Sequence, residues 1–259
     1  MSVNSYLQNL ATNLVLSENE RTRINTSIDT LIRRLSCFSF QEDIMEQLIF
    51  GSYTRGTILP RKYDDNSDVD FLVVFNHDQT RGYKPQTYLN WLKEFVETYY
   101  SFSEIYQSSP TIVLELHHVK IELVPGWISF YGNYYIPQGP SEWQTTQIRG
   151  DDQRLIENNK RNDYKIKPVI RLIKLWNVSN NNHRLKSYLI EKAITDTYFY
   201  CCTSYTDYLL FAMKALANAF YENRTILNNV VDEINDALEK ESNGYPITAE
   251  NTIKRLFPE

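Results

Sequence analysis

Apolar residues first recur at helical spacing at Ile24, Ile28, Leu31, Ile32 and Leu35, directly after Ser17-Glu18-Asn19-Glu20. This predicts an amphipathic helix opened by a Ser-x-x-Glu capping box. The period then shortens. Met45 to Phe50 is an apolar-rich run that stops at Gly51, and Asp68 to Phe75 alternates before becoming wholly apolar, so both predict strands. Between them, Tyr53 to Leu59 predicts a short helical turn ended by Pro60, with a polar loop through Asp64-Asp65-Asn66. Leu89, Leu92, Phe95, Val96 and Tyr99 predict a second amphipathic helix, and Thr111 to Leu116 with Val119 to Val124 a hairpin turning at His117-His118. From about residue 151 the strand pattern vanishes, and Lys167 to Asn177, Lys186 to Tyr200, Tyr208 to Tyr221 and Leu227 to Leu238 all carry helical spacing. The expected fold class is α+β: a lobe with a mixed sheet over residues 1–150 and a mainly α-helical lobe over residues 151–259.

Composition narrows the function classes. No run approaches the roughly 20 apolar residues that a membrane span needs, and Met1-Ser2-Val3-Asn4-Ser5-Tyr6 opens without the basic stretch of a secretory signal. Cys37, Cys201 and Cys202 form no CxxC pair, which fits free thiols and a cytoplasmic location. A net charge of −5 argues against broad binding of duplex nucleic acid. Neither a membrane nor a duplex is therefore expected as a partner. The four histidines lack metal-ligand spacing, and no Ser-His-Asp or nucleophilic Cys arrangement is present.

The chemistry concentrates in carboxylates. Side chains alternate along a strand, so Asp68 and Asp70 project to one side with Cα atoms roughly 7 Å apart, while Val69, Phe71, Val73 and Phe75 bury the other. Two carboxylates so close repel, and a bound Mg²⁺ relieves the repulsion while accepting phosphate oxygens. Gly51-Ser52, at the end of the preceding strand, offers backbone N–H groups and a hydroxyl as a phosphate cradle. Glu122 alternates away from Ile121 and Leu123 and can face the same acids. Three carboxylates suffice for two-metal phosphoryl transfer.

Gly51-Ser52-Tyr53-Thr54-Arg55-Gly56-Thr57, Ser67-Asp68-Val69-Asp70 and Ile121-Glu122-Leu123-Val124-Pro125 together resemble the DNA polymerase β-like nucleotidyltransferases. Within that superfamily they are similar to oligoadenylate synthases, cyclic GMP-AMP synthase and the bacterial anti-phage cyclic-oligonucleotide synthases. Trp143, Asn158-Asn159, Lys167 to Asn177 and Leu185 to Glu191 extend the resemblance over roughly residues 45 to 200. It implies a polymerase β-like lobe in which Asp68, Asp70 and Glu122 are catalytic and hold two Mg²⁺ ions, or Mn²⁺ in their place. It implies too that Gly51 and Ser52 hold the triphosphate and that Lys174 reaches its outer phosphates, joined by Ser187. Lys167, Arg171 and Lys174 lie at i, i+4 and i+7, so Arg171 shares the expected nucleotide-binding stripe. On this reading, replacing Lys174 weakens nucleotide binding rather than the fold. One departure is Glu122, where the family usually has aspartate; glutamate is one methylene longer and can still ligate after a small adjustment.

The expected activity is in-line attack of a hydroxyl on the α-phosphate of a purine nucleoside triphosphate, ATP or dATP, with pyrophosphate leaving. The resemblance implies a cyclic or short oligonucleotide second messenger in bacterial antiviral defence, read by an effector protein. Two alternatives stand beside it: a template-independent polymerase making a linear oligonucleotide, and a catalytically weak nucleotide-binding regulator acting through protein contacts.

Overall fold

A computed structural model describes residues 1–77, 82–108 and 110–259, with Arg149 through its backbone alone. Two compact units emerge: Ser17–Arg55 with Asn66–Asp152, and Met1–Leu16 with Gly56–Asp65 and Gln153–Glu259. Compared with a single cut near residue 150, the helical unit thus also takes in the first sixteen residues and the segment after Arg55.

The first unit is built on a seven-stranded sheet. Five strands lie in the order β1 (Ile44–Phe50), β2 (Asp68–Phe75), β5 (Val119–Ile128), β4 (Thr111–Leu116) and β3 (Glu104–Ser108); β6 (Tyr134–Gln138) pairs with β5 and β7 (Glu142–Thr146) with β6. Among the described residues only the β2–β5 pair is parallel, which makes the sheet mixed as the α+β expectation requires. The helix α2 (Glu18–Leu35) starts in the predicted capping box, with the Ser17 side chain on the Glu20 N–H and the Glu20 side chain on the Ser17 N–H. A further helix, α4 (Pro85–Tyr99), packs on β4 and β5. Phe71, Val73 and Phe75 of β2 and Leu72 and Val74 between them are all fully buried. A strand covered on both faces must be apolar throughout, which explains why the alternation after Asp70 gives way to a continuous run.

The helix α3 (Gly51–Arg55) ends sooner than Pro60 suggests. Gly56 has φ +68°, a left-handed conformation that closes helices at glycine. Thr54 and Arg55 fasten it: the Thr54 hydroxyl donates to the Gly51 carbonyl at 3.0 Å, and the Arg55 guanidinium meets Asp152 at 3.1 Å. Asp152 lies on α5 (Ile148–Arg161).

The helical unit gathers α1 (Val3–Asn13), α6 (Ile166–Asn181), α7 (Ser187–Thr195), α8 (Tyr205–Ala219), α9 (Arg224–Ser242) and α10 (Pro246–Leu256) around Trp176, Leu209, Met213, Ile234 and Phe257. Val3, Leu7 and Leu10 of α1 are fully buried in this core, which is why the N-terminus belongs here. Each such side chain stabilises by roughly 1.5–3 kcal/mol relative to exposure. Among the described residues no helix is long and apolar enough to cross a membrane.

Candidate functional site

Strand register builds the acid cluster. On the parallel β2–β5 pair, Asp68 stands opposite Lys120 and Asp70 opposite Glu122. Residues two apart on a strand share a face, so four charged side chains form one block on one side of two central strands. Below them on that face, Leu72, Val74 and Val124 pack with Tyr134 and Ile148 in a small separate core. The acids therefore project from a rigid, buried base.

The Lys120 ammonium lies 3.5 Å from Asp68 Oδ2 and 3.8 Å from Glu122 Oε1. Burial pushes the Glu122 carboxyl up to about 7, aided by the charge of Asp68 and a hydrogen bond with it, while Lys120 and the Thr111 hydroxyl pull it down. Thr111 Oγ1 sits 3.3 Å from Glu122 Oε2. Two carboxylates in such contact as Asp68 and Glu122 cost free energy unless positive charge joins them.

Gly51 abuts Asp70 directly. It is buried with φ +76°, and a Cβ there would stand 1.9 Å from Asp70 Oδ2 and 2.8 Å from its Cγ. Only glycine leaves room for that carboxylate and adopts that backbone without strain. Ser52 follows in the first turn of α3, half-buried. Two features of the sequence pattern, the Gly-Ser pair and the Asp-x-Asp strand, are thus one steric unit.

A hard, oxygen-binding divalent cation suits these donors: carboxylates on adjacent strands, with an ammonium already seated between two of them. The fit is one of donor chemistry: among the described residues, no group of three or more His, Cys, Asp or Glu is already arranged to hold a metal ion.

Within the helical unit, Arg171 and Lys174 are placed otherwise than on an open cationic stripe. Both are buried, at 7% and 5% exposure. Arg171 donates to the Gly56 carbonyl at 2.7 Å and to the Ala11 carbonyl at 3.3 Å. Lys174 pairs with the Glu191 carboxylate and donates to the Thr57 carbonyl at 3.2 Å. The Thr57 hydroxyl donates to the same carboxylate at 2.6 Å. The carbonyls of Ala11, Gly56 and Thr57 and the Glu191 carboxylate draw the two cations inward, so a structural part for Lys174 stands beside the expected nucleotide contact. Ser187 is the exposed first residue of α7.

Sequence reasoning passed over Lys120, Thr111 and Glu191. Lys120 shares strand parity with Glu122, a signal that was available; Thr111 and Glu191 depend on tertiary contacts that no local pattern carries.

The model of the Second Messenger Oligonucleotide or Dinucleotide Synthetase domain matches residues 1–159. That span includes Gly51, Ser52, Asp68, Asp70 and Glu122. A probable cyclic nucleotide synthase of Bacillus cereus (strain VD146) is 34% identical over 104 residues, 38% of this chain and 31% of that protein. The cyclic AMP-AMP-AMP synthase of an Acinetobacter species is 22% identical over 188 residues, 70% of this chain and 54% of that protein. The matched stretches thus span less than two thirds of either relative. Among solved structures, Escherichia coli MS115-1 CdnC with ATP superposes with a TM-score of 0.71 at 12% identity, over 100% of this chain and 99% of that one. The 3′-deoxy GTP-bound form of Vibrio cholerae DncV gives 0.69 at 10% identity, over 96% and 92%. At these identities the likeness is one of fold.

Proposed function

Since the chain belongs to the Second Messenger Oligonucleotide or Dinucleotide Synthetase family, we propose that it is a metal-dependent nucleotidyltransferase that builds a cyclic or short oligonucleotide from purine nucleoside triphosphates. The observation that carries the reading is the charged block of Asp68, Asp70 and Glu122 with the Asp70 carboxylate seated against Gly51. Asp68, Asp70 and Glu122 would hold two Mg²⁺ ions, which supply positive charge for the triphosphate and acidity for the attacking hydroxyl. Gly51 removes the side chain that would push Asp70 aside. Ser52 would offer its hydroxyl and the backbone N–H groups of a helix start to phosphate oxygens. Ser187, exposed at the start of α7, is suited to the same task. Arg171 and Lys174 serve the nucleotide indirectly, by holding the Gly56–Thr57 backbone in place. No protein nucleophile is needed, because the incoming hydroxyl attacks the α-phosphate and pyrophosphate leaves.

The product is assigned to signalling in antiviral defence in the cytoplasm, with an effector protein as its reader. The relatives named for cyclic nucleotide synthesis support a cyclic product. The test is incubation with each labelled nucleoside triphosphate and Mg²⁺ or Mn²⁺, followed by phosphatase and mass analysis. A product that keeps its label through phosphatase, with the mass of a cyclic oligonucleotide, is expected. A ladder of growing lengths would give the linear polymerase instead, and absence of any product with intact nucleotide binding would give the regulator.

A further inference from the structure

The acid face of the sheet carries one feature that metal binding does not explain. Across neighbouring strands, Asp68 of β2, Lys120 of β5, Glu115 of β4 and Glu104 of β3 stand in one row, and Asp70 and Glu122 stand in the next. A single lysine is set among five carboxylate residues. It is 9% exposed, and a buried ammonium is tolerated only when paired. Its charge is directed at the acids of the site, 3.5 Å from Asp68 and 3.8 Å from Glu122. Strand geometry fixes where its Cα lies, but the four-carbon stem lets the ammonium swing aside.

We propose that Lys120 is a resident counter-ion of the acid site, which holds Asp68 and Glu122 together before metal arrives and competes with the incoming ion. The proposal rests on the reading of Asp68, Asp70 and Glu122 as metal ligands. With Glu122 ionised, as a metal ligand must be, three carboxylates and one ammonium carry a formal charge of −2, which one divalent cation balances. The nucleotide-free protein then binds a first ion weakly, and a second is favoured only with the negative triphosphate. The ammonium thereby keeps the metal-free acids from repelling one another apart and ties full metal loading to the presence of nucleotide.

The experiment is Mn²⁺ titration of the full chain without nucleotide, by calorimetry or by the free-ion magnetic resonance signal, on the native protein, Lys120→Met, Lys120→Arg and the double variant Asp68→Asn with Asp70→Asn. Removing a unit positive charge a few ångströms from the ion is expected to tighten the Mn²⁺ Kd of Lys120→Met at least tenfold. Lys120→Arg keeps the charge and should stay within threefold of native. Metal-free Lys120→Met should melt below the native protein, with saturating Mn²⁺ closing the gap. If Lys120→Met fails to fold, Lys120→Gln carries the same expectation. An unchanged or weaker Kd in the neutral variant, or no measurable binding by either protein, overturns the proposal. The double variant separates the two claims: Mn²⁺ binding as strong as native there sinks the ligand assignment itself, whereas lost binding there with an unchanged Lys120→Met sinks only the counter-ion.

Discussion

Glu191→Ala should destabilise this protein far more than an ordinary helix substitution. The Glu191 carboxylate receives the Lys174 ammonium and the Thr57 hydroxyl, and the three residues are 3%, 5% and 0% exposed. Truncating it leaves a buried ammonium without its counter-charge. Breaking a buried pair from one side costs about 3–5 kcal/mol, against a total stability of roughly 5–15 kcal/mol for a folded domain. At roughly 2–4 °C per kcal/mol for a chain of this size, the melting temperature should fall by about 6–20 °C. Circular dichroism during heating and in urea measures it. The companion is Glu191→Leu with Lys174→Met, which removes both charges and should cost less than Glu191→Ala alone. A Glu191→Ala protein within about 1 kcal/mol of native, or a charge-free pair worse than the single variant, would refute the view that Lys174 is held as a buried, paired cation.

Gly51→Ala should leave circular dichroism near native but cut nucleotide transfer at least 100-fold, because the new methyl group stands where the Asp70 carboxylate lies and the backbone there is left-handed; activity within threefold of native contradicts this. Glu122 makes a pH prediction: with its carboxyl raised from 4.5 to about 7, the metal-free fold binds a proton that the unfolded chain releases. Its contribution is therefore complete below pH 4.5 and is lost as pH rises through 7, by up to about 3 kcal/mol. Glu122→Gln should flatten that slope in denaturant titrations, and Mn²⁺ binding near pH 6 should release protons in the native protein alone. A slope that survives in Glu122→Gln assigns it elsewhere. Tyr134→Phe removes the donor that reaches Glu46 at 2.7 Å and should cost about 1 kcal/mol without changing turnover; a tenfold loss of kcat would give Tyr134 a role beyond the sheet.

The acids were legible because strand parity is a strong, local rule. Asp68, Asp70 and Glu122 each break an apolar alternation, and the fold places them as that alternation directs. Nothing local, however, tells β5 to pair in parallel with β2, and only that register sets Glu122 beside Asp70 and Lys120 beside Asp68. The α6 cations show a different limit. Periodicity put Arg171 and Lys174 on one stripe but could not say that the stripe faces inward, since that depends on the carbonyls of Gly56 and Thr57 being there to receive them. Three strands escaped notice for compositional reasons: β3 reads Glu104-Ile105-Tyr106-Gln107-Ser108 and is mostly exposed, β6 contains Pro137, and β7 reads Glu142-Trp143-Gln144-Thr145-Thr146 with a single large apolar residue. β3 ends the main five-strand order and β6 and β7 lie outside it, where little apolar surface is needed. The polar sequence of α5 hid that helix as well.

Pyrophosphate release from labelled ATP in the presence of Mn²⁺, compared between the native protein and Asp68→Asn with Asp70→Asn, tests the central claim most directly. Circular dichroism and melting confirm that both are folded. Release by the native protein and its loss, by at least 1,000-fold, in a double variant that still melts cooperatively is the predicted result. Undiminished release in the double variant would contradict the assignment of these two carboxylates to the chemistry.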